Sequence, residues 1–258
     1  MDRALWVSAT GMEGQTRLTE NIANNLANVN TTAFKKGQVH FQDLYYQTVT
    51  SIGAATSDSV TPVGVDLGTG SRVSSITRDF SMGTLEQKGG DLSLAISGEG
   101  FFEIQLPDGT IAYTRDGHFH RDQNGNIVND NGYTVRGAPG IDANATVIDI
   151  SEDGTVSQTV NGETTNAGQI TIARFPNSEG LRPIGNNLFV ETEASGNATS
   201  GNPNQNGYGG IKQGFLEASN VEVVKEMVNM IAAQRAYEVI SKSIKTSDEM
   251  LRTATNLK

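Results

Sequence analysis

The histidines are the side chains in this sequence with the clearest capacity for metal chemistry. His118 and His120 alternate in the segment HFH, so one strand face can present two imidazole ligands of the kind that zinc binds. His40 is distant in the sequence, and no third ligand lies at a helpful spacing from the pair. We therefore expect a partly exposed strand pair at this position and no metal site.

Other motifs also fall short of the sites that they resemble. The segment DQNGN at 122–126 begins like a calcium loop, but Ile127 and Tyr133 stand where an EF-hand needs Gly and Glu. GTG at 68–70 and GEG at 98–100 lack the rest of a nucleotide-binding fingerprint and its helix. A GxSxG nucleophile motif is absent from the sequence. These motifs indicate turns and bulges.

Acidic pairs give no better evidence of catalysis. Glu152 and Asp153 adjoin in a turn-like segment, whereas a glycosidase needs two carboxylates that face each other across a cleft. We expect no enzymatic activity, no catalytic residue and no cofactor.

Composition excludes further classes of protein. The chain has 258 residues, no cysteine and a formal net charge of −10, so disulfides and thiolate sites are excluded and nucleic-acid binding is disfavoured. No stretch approaches the roughly 18 apolar residues that a membrane span needs, so we expect no membrane insertion. The N-terminus is also unlike a cleaved secretory signal peptide.

Both ends of the chain have helical, heptad-like periodicity. The C-terminal pattern is the stronger, and proline and glycine are absent from 219–258. The N-terminal pattern is dilute, with Ala and Thr at many of its positions. Its positions are Leu5, Ala9, Met12, Thr16, Thr19, Ala23 and Leu26, with Ile22 and Val29 on a second line. The C-terminal positions are Val223, Met230, Tyr237, Ile244 and Leu251, interleaved with Ala233, Ile240, Ser247 and Ala254.

The helical ends bury too little apolar surface to be stable alone. Fixing each backbone residue costs about 1–2 kcal/mol, and one dilute partner helix cannot offset that cost. A further apolar line, formed by Val224, Met227, Val228 and Ile231, implies at least two neighbours for the C-terminal helix. We expect the ends to become ordered when other copies cover them. The alternative is an intramolecular two-helix hairpin that caps a globular domain.

The middle of the chain has the pattern of an antiparallel β domain. Short alternating runs from Gly98 to Gly137 are separated by turn sequences such as Pro-Asp-Gly and Gln-Asn-Gly. Residues 37–70 fit an extended hairpin or a long arm that a partner covers. The predicted fold class is α+β: two long terminal heptad helices that pack as a coiled-coil-like domain, with an inserted, mainly antiparallel β domain. The predicted divisions are an N-terminal helix at 1–30, a connector and arm at 31–70, a β domain at 71–218 and a C-terminal helix at 219–258.

Motifs in the order of the chain resemble the rod and hook family of axial proteins of the bacterial flagellum. They are NIANNLANVNTTAFKK at 21–36, GEGFF with DGTIAYTRDGHF in the centre, and the block from Ser219 to Leu251. The family usually has Gly where this chain has Ala33. FQDLYYQT and VGVDLGTG make the chain most similar to the distal-rod members of the family.

The resemblance implies a structural subunit of the periplasm-spanning rod in the flagellar basal body, which self-assembles into a helical tube and passes torque to the hook. Its implied partners are further copies of itself, proximal-rod and hook proteins, the P- and L-ring proteins, and the type III export apparatus, which would export it without cleavage of a signal peptide. The residues expected at the assembly interface are Leu5, Met12, Ile22, Leu26, Val29, Met230, Tyr237, Ile244 and Leu251, with Asn21 and Asn28 expected to fix register.

Other interpretations remain open from the sequence. The nearest is a proximal-rod or hook subunit of the same family, and a periplasmic glycan-acting enzyme is the less favoured one. The asparagines of 21–30 are equally compatible with positions that line a channel or cap the end of the helix.

Overall fold

The structure, a computed structural model, describes residues 2–50, 55–56, 59–60 and 63–256. The chain divides into two compact units. The first comprises Met1–Ala27, Gly37–Arg78 and Glu222–Lys258, and the second comprises Asn28–Lys36 and Asp79–Val221. Two long helices and many antiparallel strands confirm the α+β class.

The first unit contains both long helices and a strand-rich arm. Its helices are α1 (Asp2–Ala27) and α2 (Val223–Asn256). Its strands are β1 (Gly37–Asp43), β2 (Tyr46–Thr50), β3 (Ala55–Thr56), β4 (Ser59–Val60), β5 (Val65–Gly68) and β6 (Ser71–Arg78). None of the helices among the described residues is both long and apolar enough to cross a membrane.

The arm is a chain of antiparallel strand pairs. β1 pairs with β6, β2 with β5, and β3 with β4, so the described residues of 37–78 form one antiparallel hairpin. The extended-hairpin alternative for 37–70 therefore describes this segment, although residues 51–54, 57–58 and 61–62 lie outside the described residues. Because β6 pairs with β1, residues 71–78 belong to the first unit.

Both long helices end differently from the sequence expectation. α1 ends at Ala27, and the chain then turns, with the Thr31 N–H donating to the Asn28 carbonyl at 3.1 Å. α2 begins at Val223, four residues after the predicted start at Ser219. The Asn220 side chain makes its hydrogen bonds within the second unit.

The second unit is built from sixteen short strands. They are β7 (Leu85–Gln87), β8 (Leu94–Ser97), β9 (Phe102–Gln105), β10 (Ile111–Thr114), β11 (Phe119–Arg121), β12 (Ile127–Asn129), β13 (Thr134–Arg136), β14 (Ala145–Ile150), β15 (Thr155–Val160), β16 (Glu163–Gln169), β17 (Ile172–Arg174), β18 (Arg182–Gly185), β19 (Leu188–Val190), β20 (Thr199–Gly201), β21 (Gly210–Gln213) and β22 (Phe215–Glu217). A short 3₁₀ helix spans Ser178–Gly180.

A seven-stranded antiparallel sheet is the largest element of the second unit. Its strand order is β11-β12-β13-β9-β10-β19-β18, and a separate three-stranded sheet has the order β14-β15-β16. The Pro-Asp-Gly and Gln-Asn-Gly turns lie between β9 and β10 and between β11 and β12, where Gly109 and Gly125 have φ of +84° and +85°. Glycine adopts this conformation without a steric penalty, so these turns form as the sequence predicts.

Apolar side chains of the second unit form two clusters. The larger includes Leu94, Ile96, Phe102, Ile104, Ile172 and Ile211, all with almost no exposed surface. The smaller is aromatic: Phe101, Tyr113 and Phe175 meet edge to face. Burial of these side chains supplies the unit's main favourable free energy.

Candidate assembly surface

The two terminal helices contact each other within the first unit. Asn25 of α1 meets Glu226 of α2, and Gly11 of α1 lies beside the Ile240 side chain. Residue numbers rise along α1 as they fall along α2, so the helices are antiparallel. The contact between the helices covers part of the apolar seam, which is formed by the heptad positions that the sequence predicts on α1 and α2.

The expected assembly residues differ in how much of each side chain the chain itself covers. Ile22 is buried, whereas Tyr237 is 42% exposed. Val29 follows the end of α1 and is half-buried in the second unit. The half-buried members on the two helices are Leu5, Met12, Leu26, Met230, Ile244 and Leu251.

Asn25 makes a polar contact between the two helices, and the sequence analysis did not predict this contact. Its buried amide donates from Nδ2 to the Gly37 carbonyl at 3.0 Å and to Glu226 Oε2 at 3.3 Å, while Oδ1 accepts the Gly37 N–H at 2.8 Å. Three bonds on one buried amide satisfy it well, and they tie α1, α2 and β1 together. Glu226 lies seven residues before Ala233, on the interleaved heptad line of α2. This spacing is the feature of the sequence that could have identified Glu226 as a residue of the helix contact.

The two asparagines expected to fix register take different positions. Asn21 donates from Nδ2 to the Gly37 carbonyl at 2.7 Å, within the first unit. Asn28 lies in the turn after α1, where its Oδ1 accepts the Thr31 hydroxyl at 3.2 Å. The structure therefore places Asn21 against β1 and Asn28 at the end of the helix.

Small residues of α1 make room for the arm. Gly14 is buried, and a Cβ at this position would lie 2.9 Å from Cε1 of Phe41 on β1. Glycine within a helix costs about 1 kcal/mol relative to alanine. At position 14, glycine allows α1 to approach the arm closely.

An apolar stripe on α2 remains exposed to solvent. The stripe consists of Val224, Met227, Val228 and Ile231, of which Val224 is 77% exposed, Val228 59% and Ile231 57%. These residues recur at helical spacing on the side of α2 away from the contact with α1. A contiguous exposed apolar surface of this kind is typical of a site of protein association.

The arm also presents large apolar side chains to solvent. Tyr45 is 94% exposed, and Tyr46, Val49, Val63 and Val65 are exposed as well. The helix α2 and the arm thus both carry exposed apolar surface that a further protein molecule can cover.

A buried ion triad anchors the segment after α1 in the second unit. Lys35 Nζ lies 2.7 Å from Glu217 Oε1, and Arg115 Nε lies 2.9 Å from Glu217 Oε2. All three side chains are buried, and the Gly83 N–H also donates to Glu217 Oε1 at 2.8 Å. Arg115 further donates to the carbonyls of Gly98 and Gly100.

The electrostatics of the triad favour an ionised glutamate. Burial alone would raise the pKa of Glu217. The charges of Arg115 and Lys35, together with the hydrogen bonds from Lys35 and the Gly83 N–H, outweigh burial and hold this pKa below its usual value. Removing Glu217 leaves two buried cations without a counter-charge, so the triad is a folding element of the second unit.

The backbone beside the triad has a conformation that is rare for alanine. Ala33 is buried with φ of +56°, and its N–H donates to the Glu217 carbonyl at 2.7 Å. Asn220 accepts the Lys36 N–H at 2.8 Å and donates to the Asp79 carbonyl at 2.8 Å. Ala33 thus adopts a left-handed backbone conformation at the position where the family usually has Gly.

Comparison with known proteins identifies the family of this chain. The model of the flagellar hook protein FlgE/F/G D1 domain matches residues 95–158, and that of the C-terminal part of flagellar basal body rod FlgEFG proteins matches 212–257. The flagellar basal-body rod protein FlgG of Borreliella burgdorferi is 47% identical over 265 residues, covering 100% of this chain and 99% of its own. The chain belongs to the flagellar FlgE/F/G family.

Members of the FlgE/F/G family differ in how similar they are to this chain. The FlgG of Bacillus subtilis is 42% identical over 265 residues, with 100% of both chains covered. The rod protein FlgF of Caulobacter vibrioides is 34% identical over 258 residues, covering 98% of this chain and 97% of its own. The resemblance inferred from the motifs is confirmed, and similarity is greater to these FlgG proteins than to that FlgF.

Proposed function

We propose that this chain is a structural subunit of the bacterial flagellar basal-body rod, and that it self-assembles into the helical, tubular distal rod that transmits torque to the hook. Membership of the FlgE/F/G family, with 42–47% identity to FlgG rod proteins over the full chain, carries the proposal. The flagellar basal body is accordingly its location. Electron microscopy of the concentrated purified chain tests the proposal, since tubes are expected and their absence under all assembly conditions counts against it.

The helix pair is the proposed building block of the tube's inner wall. α1 and α2 pack in a coiled-coil-like manner, and the half-buried seam residues, among them Met230 and Ile244, complete their burial against neighbouring copies. Each such contact is heterologous, because one surface of a subunit meets a different surface of the next, as a helical tube requires. The expected interface residues and the sequence divisions into terminal helices, arm and β domain belong to this proposal.

The exposed stripe on α2 supports a second neighbour for that helix. Val224, Val228 and Ile231 lie away from α1, so a copy that covers them is distinct from the one that completes the seam. We expect both terminal helices to become more protected from protease on assembly, and limited proteolysis before and after polymerisation measures this change.

The arm is proposed to lie against neighbouring subunits and to stiffen the rod. Its exposed Tyr45, Tyr46 and Val49 are the side chains that such a contact would bury. Deletion of 46–67 is expected to give a bent or flexible rod in purified basal bodies. A rod as straight as the parent would discredit this role of the arm.

The further partners follow from the same proposal. They are the proximal-rod and hook proteins at the ends of the distal rod, the P- and L-ring proteins around it, and the type III export apparatus that delivers the subunit. A proximal-rod or hook subunit of the same family is the second candidate. Whether the arm is structurally ordered between subunits distinguishes the two candidates. Labelling the chain in isolated basal bodies locates it directly.

The proposed role is structural and not enzymatic. The family members named above are rod proteins, which supports this assignment. A glycan-acting enzyme is the alternative, and zymography on cell-wall substrate tests it. A clear zone around the purified chain would overturn the non-enzymatic assignment.

A further inference from the structure

Three side chains of the second unit form a cluster that the proposed rod function does not use. His118 and His120 flank the buried Phe119 of β11, so both imidazoles lie on the exposed side of the strand. β12 is antiparallel to β11 with Asn129 opposite Phe119, and Asp130, the next residue, therefore lies beside His118. The hairpin thus supplies the third donor that the sequence spacing does not reveal.

The donor atoms of this cluster converge. His118 Nδ1 and His120 Nε2 each lie 2.9 Å from Asp130 Oδ1, and the two rings meet edge to face with centroids 4.7 Å apart. One ligand atom from each residue lies within 4.8 Å of the others. Two ligands of a tetrahedral zinc ion, each about 2.0–2.1 Å from it, are about 3.3 Å apart. Each histidine–aspartate pair therefore needs to open by only a few tenths of an ångström to reach this ligand spacing.

We propose that His118, His120 and Asp130 bind a divalent transition-metal ion of the zinc class. Two imidazoles with one carboxylate form a donor set that suits Zn²⁺, Ni²⁺ or Cu²⁺ and disfavours Ca²⁺ and Mg²⁺, which prefer oxygen ligands alone. The cluster lies within one sheet of the second unit, so the site does not depend on assembly or on the rod function.

The surroundings of the cluster suit an open coordination position. His118 and Asp130 line a pocket together with Thr114, Asp116 and Asn187. The Asp116 carboxylate accepts the backbone N–H of His118 at 3.1 Å and holds that end of the strand in place. The fourth position of a tetrahedral ion is therefore available to water or to a donor from another molecule.

The binding test uses the full-length chain without an affinity tag, freed of metal by a chelator. Isothermal titration with Zn²⁺ gives stoichiometry and affinity, and Co²⁺ absorption reports the ligand geometry. The site variants are His120→Gln and Asp130→Asn, both at exposed positions where loss of folding is not expected. His40→Gln is the matched control, because His40 lies in the first unit, where its Nε2 contacts Thr77 Oγ1 at 3.0 Å.

The parent chain and the His40→Gln variant are expected to bind one Zn²⁺ with a micromolar dissociation constant and to gain thermal stability from it. His120→Gln and Asp130→Asn are each expected to weaken binding by at least about tenfold. Ca²⁺ at the same concentration should give no heat of binding. Failure of the parent to bind Zn²⁺ at millimolar concentration would overturn the proposal, and so would unchanged affinity in both site variants.

Discussion

Replacement of Val228 by Asp is expected to block polymerisation without disturbing the folded subunit. Val228 is 59% exposed in the α2 stripe, so the side chain contributes little to folding and can contribute more on assembly. Covering its exposed part in a contact between copies is worth roughly 1–2 kcal/mol. A carboxylate in the same place loses that contribution and also costs about 2 kcal/mol or more for its desolvation. The sum is about 3 kcal/mol or more per contact.

This free energy becomes a measurable change in the critical concentration. Since about 1.4 kcal/mol corresponds to a tenfold change in an equilibrium constant, the Val228→Asp variant should need a concentration at least roughly 100 times higher to polymerise. Sedimentation and light scattering across a concentration series give the critical concentration of each chain. Thermal unfolding of the unassembled protein should be nearly unchanged, because the substitution lies at an exposed position.

Asn229→Asp is the matched control for this variant. It adds the same charge one residue along the same helix, about 100° around the axis from Val228 and outside the stripe. The control should polymerise near the parental concentration. If Val228→Asp polymerises at that concentration as well, the stripe is not an assembly surface and the argument from its exposure is refuted.

Other predictions concern the second unit and the helix pair. Glu217→Gln should lower the free energy of unfolding by about 3 kcal/mol at pH 7 in urea titrations, because Arg115 and Lys35 then lack a buried counter-charge. The folded pKa of Glu217 lies below its usual value of 4.5, so the parent should lose this stabilisation as the pH falls below about that value, and Glu217→Gln should not show this loss. Ala33→Val should destabilise by about 2 kcal/mol, because a β-branched residue at φ of +56° is strained, whereas Ala33→Gly should stay within about 1 kcal/mol of the parent. Asn25→Ala should lower the free energy of unfolding by about 1–3 kcal/mol, because the Gly37 N–H and carbonyl lose this partner. A variant as stable as the parent in thermal unfolding would contradict this role of Asn25.

The sequence predicts the elements of this fold better than their contacts. Periodicity identifies both helices, and turn residues such as Gly109 and Gly125 identify the hairpins, because helix and turn preferences are local properties of the chain. The end of α1 at Ala27 and the start of α2 at Val223 depend on packing, and the sequence placed both boundaries differently. Local preference alone does not determine where a helix ends.

The polar contacts are harder to predict because they join distant parts of the chain. Lys35 and Glu217 are 182 residues apart, and Arg115 and Glu217 are 102 apart. Asp130 reaches the histidine pair only through the β11–β12 hairpin. Such pairings depend on the tertiary arrangement, and spacing in a single sequence does not reveal them.

The buried triad changes the interpretation of the motifs that carry the family resemblance. Lys35 comes from the N-terminal motif, Arg115 comes from the central motif, and Glu217 lies two residues before the C-terminal block. Their convergence inside the second unit means that parts of these motifs serve the folding of a single subunit. An assembly defect after substitution of Lys35 would therefore be caused in the first place by an unstable subunit. A defect after substitution of Val228, whose side chain is exposed, would report the contact between copies itself. Comparing the unfolding free energies of the two variants separates the two causes, because only the Lys35 variant should be less stable before assembly.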